Sequence, residues 1–237
     1  MKTFSFLLVS FVLCTQAYAQ RLGDITQGTL NELVPFDNTS KQRYGSTYLI
    51  KGWSKGKMRI KYKGKVKEYS DLYLRYDLAN QNLEVKFDNG LTNETKMKVF
   101  NDQYVEGFEY YDTKANQNCY FERCKNYKLN TPLLGFFKVL YKGKKVTLFE
   151  RISSYVQKGN EVKALGIGSS NERVIQKRAF YVNNGGKTYK VKRRRKSVLA
   201  VFGERKGDVK AFARENDLFY KSAADLTAIF KYYDGLQ

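Results

Sequence analysis

The stretch Lys187-Thr188-Tyr189-Lys190-Val191-Lys192-Arg193-Arg194-Arg195-Lys196 decides how this chain is read. Seven of its ten residues are basic, and the hydrophobic period changes across it. Before it, apolar residues alternate with polar ones, the pattern of a strand with one buried and one wet face. After it, they recur at helical spacing. The pattern predicts an α+β, mainly β fold: an antiparallel meander, sandwich or partial barrel, followed by a C-terminal segment of about three short helices.

Working back from the basic run, the last hairpin pairs Phe180–Val182 with Tyr189–Val191 around Asn183-Asn184-Gly185-Gly186. Another pairs Phe136–Tyr141 with Val146–Arg151 around Lys142-Gly143-Lys144-Lys145. Val105–Tyr111 is a strand, and Met97 and Val99 continue the alternation. Leu83, Val85 and Phe87 alternate with charges before Asn89-Gly90, a strong hairpin turn. Leu72, Leu74 and Tyr76 do the same, and Met58, Ile60 and Tyr62 alternate with Lys57, Arg59 and Lys61. Tyr-Lys-Gly-Lys occurs at 62–65 and again at 141–144. We read it as one turn chemistry used twice, with glycine supplying the positive φ of a hairpin, rather than as a duplication.

Working forward, Val198, Leu199 and Phe202 share a helical face, and Gly203 is a stop. Asp208 is placed to cap a second helix with Val209, Phe212 and Ala213 on its apolar side. Ser222 and Asp225 form a capping box for a third, carrying Leu226, Ile229, Phe230 and Tyr233. Helices this short need a tertiary partner, so their apolar faces are expected to pack on each other or on the sheet.

The domain reading is 1–19 targeting segment, 20–47 polar lead-in, 48–192 β-rich domain and 193–237 basic helical segment packed on it. Met1–Ala19 has a positive start at Lys2, an apolar core at Phe4–Leu13 and Ala17-Tyr18-Ala19 before a cut at Gln20. This is the form of a signal peptide, with a retained membrane anchor as the alternative. The lead-in holds a short apolar contact of Leu30, Leu33, Val34 and Phe36. Cleavage removes Cys14 and leaves Cys119 and Cys124, four residues apart. An even count in an exported chain points to a Cys119–Cys124 disulfide, with a redox or metal pair as the other reading.

The chain has 43 Lys+Arg against 23 Asp+Glu, a formal net charge of +20, and no histidine. That removes Ser-His-Asp and Cys-His catalysis and His-containing metal sites. Acid–base work is left to carboxylates, Lys, Tyr or Cys, and no local spacing marks a carboxylate pair. No catalytic residue, cofactor or metal site is assigned. Gly166-Ile167-Gly168-Ser169-Ser170 lacks the Gly-Lys-Ser/Thr ending of a phosphate-binding loop and reads as a flexible connection.

Gly45-Ser46-Thr47-Tyr48-Leu49, Trp53, the Gly-Lys hairpins, the Lys-Arg-Arg-Arg-Lys run, Asp225-Leu226 and Tyr232-Tyr233-Asp234 together carry a resemblance. The chain resembles exported β-rich proteins of Bacteroidota with a basic, helical C-terminal segment, a group without an established activity. The resemblance implies a periplasmic, surface or extracellular location and carries over no catalytic residue. In that setting the sequons Asn38-Thr39-Ser40 and Asn93-Glu94-Thr95 would not be modified by the eukaryotic route.

The basic run has three readings: a solvated strand end and helix start, a surface for anionic partners, or a nucleic-acid surface, the last opposed by the export segment and by the lack of a recognised nucleic-acid motif. Five bases at a helix start oppose the helix dipole, which hints at a purpose beyond folding. Lys190, Lys192, Arg193, Arg194, Arg195 and Lys196 are therefore the anion-binding candidates. The expected function is a non-enzymatic exported protein that binds an anionic envelope component, such as lipid head groups or acidic polysaccharide, or an envelope protein. A carboxylate-dependent glycan-acting enzyme and a structural accessory of an envelope assembly are the alternatives.

Overall fold

A computed structural model describes residues 42–89, 94–161 and 167–236. The signal segment, the 30–36 contact, the Asn89-Gly90 turn and Gly166 lie wholly or partly outside the described residues.

Twelve strands form one large open sheet. They are β1 (Arg43–Tyr44), β2 (Ser54–Tyr62), β3 (Lys65–Asp77), β4 (Asn82–Asn89), β5 (Glu94–Phe100) and β6 (Val105–Asp112). The rest are β7 (Gln117–Arg123), β8 (Lys128–Leu129), β9 (Phe136–Lys142), β10 (Val146–Gln157), β11 (Glu172–Asn184) and β12 (Lys187–Val191). The order is β5-β4-β3-β2-β6-β7-β9-β10-β11-β12-β8, with β1 on β11. All pairings are antiparallel except β1–β11 and β12–β8. Every strand named from the alternation is present. β7 is a strand that the alternation does not reveal: in QNCYFER the positions in register with buried Cys119 and Phe121 include polar Gln117 and Arg123, and exposed Tyr120 is aromatic.

The lead-in is shorter than expected. Pairing begins at Arg43 rather than near Tyr48, because Gln42–Ile50 is fixed by hydrogen bonds to both β11 and β3. The Glu172 amide donates to the Gln42 carbonyl at 2.9 Å, and the Leu78 amide to Thr47 at 2.8 Å.

The two Tyr-Lys-Gly-Lys copies are not one turn used twice. At the first, Lys63 (φ 47°) and Gly64 (φ 79°) make a tight hairpin. At the second, Gly143 lies outside the positive-φ set. It is needed for a different reason: a Cβ there would sit 2.5 Å from the Asp234 carboxylate.

The C-terminal segment has two full helices, α2 (Lys206–Glu215) and α3 (Ala223–Gly235). Before them a five-residue turn of helix, α1 (Arg195–Leu199), runs into a 3-10 stretch broken at Gly203. The expected segment of about three short helices is therefore two helices and a fragment. Asp208 is not a cap but a first-turn residue, since the helix starts at Lys206. Half of the capping box forms: Ser222 Oγ accepts from the Asp225 amide at 3.0 Å, while Asp225 accepts from the Phe219 amide at 3.1 Å.

These helices cover one part of the sheet. Val198, Phe202, Val209, Leu226, Ile229 and Phe230 close over Val146, Leu148, Phe180 and Val182. Phe202 meets the Phe230 and Tyr233 rings at 5.0 and 4.7 Å. A second core lies under β2–β7 and is aromatic, with Phe108 stacked on Phe121 at 4.5 Å and Tyr76 against Phe136 at 5.6 Å.

Phe230→Ala is expected to destabilise the protein by about 3–5 kcal/mol, as large core truncations do. Ser222→Ala should cost about 1 kcal/mol through the lost cap. Denaturant unfolding checks both. Unchanged stability in the Phe230 variant would remove α3 from the core.

Candidate functional site

The basic run leaves β12 at Val191 and turns into α1 at Arg194–Arg195. On α2, Gly207, Lys210, Ala211 and Arg214 fall at i, i+3, i+4 and i+7, one helical face. The segment Leu218–Lys221 then passes between α2 and α3. These three pieces border an open cavity of about 600 Å³, and its basic side chains are exposed. Arg193, Arg194, Arg195, Lys210, Arg214 and Lys221 supply its charge, and among the described residues no carboxylate lines it. Leu218, Phe219 and Tyr220 supply its apolar wall. Its volume is in the range of small-molecule sites.

The loop is held by the end of α2. The Leu218 amide bonds the Ala213 carbonyl at 2.8 Å, and the Asp217 amide the Arg214 carbonyl at 3.4 Å. This is a Schellman cap with Asp217 (φ 51°) where glycine is usual. Tyr220 is also left-handed (φ 61°). A bulky residue there is strained, and packing against the helix core holds it in place. Tyr220 is turned inward, whereas Phe219 before it points outward and is 72% exposed. Burial pushes the Tyr220 phenol above its usual 10.0, opposed by the Arg195 guanidinium beside it.

Elsewhere, many cations meet a carboxylate. Arg178 pairs with buried Glu150 at 3.0 Å, and Arg123 with Glu106 at 2.7 Å. Among the described residues, none of the six cavity bases forms an ion pair. The cavity is thus a concentration of unneutralised positive charge beside an apolar wall.

The structure divides the sequence candidates. It brings Arg193, Arg194 and Arg195 to the cavity, and leaves Lys190, Lys192 and Lys196 exposed outside its lining. Sequence reading missed Lys210, Arg214 and Lys221. The signal for the first two was present, since bases at i and i+4 interleaved with small residues mark a basic helical face. Lys221 is brought in only by tertiary folding.

A second cavity, of about 350 Å³, opens on the other side of the sheet among Lys57, Arg59, Glu68, Glu109, Glu122 and Lys142. Two of its three carboxylates are paired: Glu109 with Lys57 at 3.4 Å and Glu122 with Lys142 at 2.8 Å. Burial works to raise the Glu122 pKa, but Lys142, the Tyr127 hydroxyl and Arg59 hold it below the usual range. A glycosidase acid needs the opposite shift.

The expected Cys119–Cys124 disulfide is not formed: both are buried free thiols. β7 runs without a turn through Arg123, so no hairpin brings the pair together. Cys124 lies beyond the strand, at the start of the short 3-10 turn Cys124–Asn126. Cys119 packs with Tyr110 and Phe121, and Cys124 with Phe137 and Phe149 in a separate cluster. Among the described residues no cluster of potential metal ligands occurs, and no helix is long and apolar enough to cross a membrane. No family model, curated protein or solved structure matches the chain.

Burial raises the Cys124 thiol from 9.0 to about 12, and burial raises the Tyr76 phenol from 10.0 to about 12. Both groups hold their proton more tightly in the folded chain. Their stabilisation is complete below about pH 9 and is lost as the pH rises toward about 12. Thermal unfolding should therefore occur at progressively lower temperature across that window, less steeply in Cys124→Ala once its lower starting stability is subtracted. At neutral pH, alkylation of Cys119 and Cys124 should be slow in native protein and complete in denaturant, as read by peptide mass. Failure of the two residues to alkylate in denaturant without reductant would restore the bridge.

Proposed function

We propose that this protein is an exported, non-enzymatic binder of an anionic envelope component, and that the basic cavity of the C-terminal segment is where it binds. One observation carries the reading. Six bases border a single 600 Å³ cavity with no lining carboxylate among the described residues. Like charges gathered without counter-charge repel one another and lower stability, so a fold tolerates them most readily where an anion completes the set. The run does not serve as an ordinary strand end, because its three arginines face the same space as bases from α2 and from the loop before α3.

The export reading rests on the Met1–Ala19 segment and on the resemblance described above. The anionic component is of the lipid head group or acidic polysaccharide class. The glycan-acting alternative is not favoured, because two of the three carboxylates lining the second cavity, Glu109 and Glu122, are paired with lysines, and Glu122 is held below its usual range.

The test compares two triple variants of equal charge. Arg193, Arg194 and Arg195 are changed to Gln in one, and Lys61, Lys65 and Lys67 in the other. Binding is measured by co-sedimentation with vesicles containing anionic lipid and with an acidic polysaccharide. At about 1 kcal/mol per base near an anionic surface, the arginine variant should bind about 100-fold more weakly to the preferred target, and the control far less so. Raising salt from 0.1 to 1 M shortens the Debye length from about 10 Å to about 3 Å, which should weaken wild-type binding steeply. Lys196→Gln should have a small effect, since Lys196 lies outside the cavity lining. Equal losses in the two triple variants would reduce the effect to overall charge and remove the site.

A further inference from the structure

The cavity is built in two chemically different halves, and this narrows the kind of anion it suits. We propose that its ligand is a phosphoryl-headed amphiphile: a phosphate ester whose charged end sits among Arg193, Arg194, Arg195, Lys210 and Arg214, and whose apolar body lies along Leu218, Phe219 and Tyr220. This rests on the reading of the cavity as an anion site and adds the class of molecule it takes.

Three features require an apolar part. The first is volume. A bare phosphate fills only a small fraction of 600 Å³, and the remaining space is not polar along its loop side. The second is the α2 face. Gly207 and Ala211 lie on the same face as the two α2 bases, and a Cβ built at Gly207 meets nothing within 4 Å. Small residues at these positions keep the space between the helix and the loop open. The third is Phe219. It is 72% exposed at the cavity edge while its neighbours Leu218 and Tyr220 reach the core. An apolar chain laid on Phe219 would remove that ring from water, which is favourable in proportion to the area covered.

The charged half suits a phosphoryl group. A phosphate monoester carries about −1.5 to −2 at neutral pH and three acceptor oxygens. Planar guanidinium groups match those oxygens two at a time. Three adjacent arginines with two further bases supply more positive charge than a single carboxylate would neutralise.

The test uses the full chain and three defined probes: dodecyl phosphate below its micelle concentration, inorganic phosphate, and a neutral dodecyl glycoside. Binding is measured by titration calorimetry. Dodecyl phosphate should bind at least about tenfold more tightly than inorganic phosphate, because the chain is removed from water. The glycoside should bind more weakly than dodecyl phosphate. Ala211→Leu fills the cavity without changing its charge, and Phe219→Ser removes the exposed wall. Each should weaken dodecyl phosphate by about tenfold and leave inorganic phosphate unchanged. Phe219→Ser alters a side chain that is mostly exposed, so it keeps the test open if Ala211→Leu misfolds. Dodecyl phosphate binding no tighter than inorganic phosphate, with both lost in the arginine triple variant, would overturn the amphiphile and keep the anion site. Equal binding of the phosphate and the glycoside, unaffected by the arginines, would overturn both.

Discussion

The closure of α3 over the inner face of β10 and β11 is the contact on which the C-terminal half depends. Phe230, Ile229 and Leu226 are almost wholly buried there against Leu148 and Val182. Neither partner is stable without the other. A short helix is marginal in water, and a sheet face carrying Val146, Leu148, Phe180 and Val182 must be covered. The seat of α3 is then locked at its far end. Asp234 accepts backbone bonds from Lys144 at 2.9 Å and Lys145 at 2.7 Å, and the Tyr141 hydroxyl at 3.2 Å. Burial acts to raise the Asp234 carboxyl, but the Lys145 and Lys144 amides and Tyr141 hold it below its usual range. The clasp needs a residue without a side chain at position 143, which ties one hairpin glycine to one helix carboxylate 91 positions away.

The cavity is a by-product of that lock. With α3 fixed and α2 packed through Val209 and Ala213, the short connection between them has little freedom. Its course is set by the Schellman cap at Asp217 and the bond from the Phe219 amide to Asp225. The basic run enters from the other side, held by the sheet through β12. Three elements of different kinds therefore present their bases to one space.

How much of this could be read from residues alone follows from where the information sits. Strand alternation at Met58–Tyr62 or Leu83–Phe87 is local, and so is the helical spacing of Leu226, Ile229, Phe230 and Tyr233; each was legible. The basic run was visible as charge, but its division into cavity-lining arginines and outlying lysines was not. That division depends on where β12 ends and which way α1 turns. The cysteine pair misled because spacing alone does not reveal that β7 runs straight through to Arg123. The repeated Tyr-Lys-Gly-Lys misled in the same way: one copy is explained by its own backbone angles, the other by a carboxylate brought from the far end of the chain.

The placement of α3 has a consequence for the order of assembly. The cover over the face of β9–β12 is completed only when the residues of α3 have emerged, since Val198, Phe202 and Val209 supply part of it and Leu226, Ile229 and Phe230 the rest. A chain that has appeared only as far as the basic run would present Val146, Leu148, Phe180 and Val182 to water. It would also carry the arginine cluster at its growing end. Charge repulsion between such partly emerged chains opposes the sticking that their bare sheet faces invite. The same residues would then stand in two successive settings, first at the growing end beside a bare sheet face and later in the wall of the basic cavity.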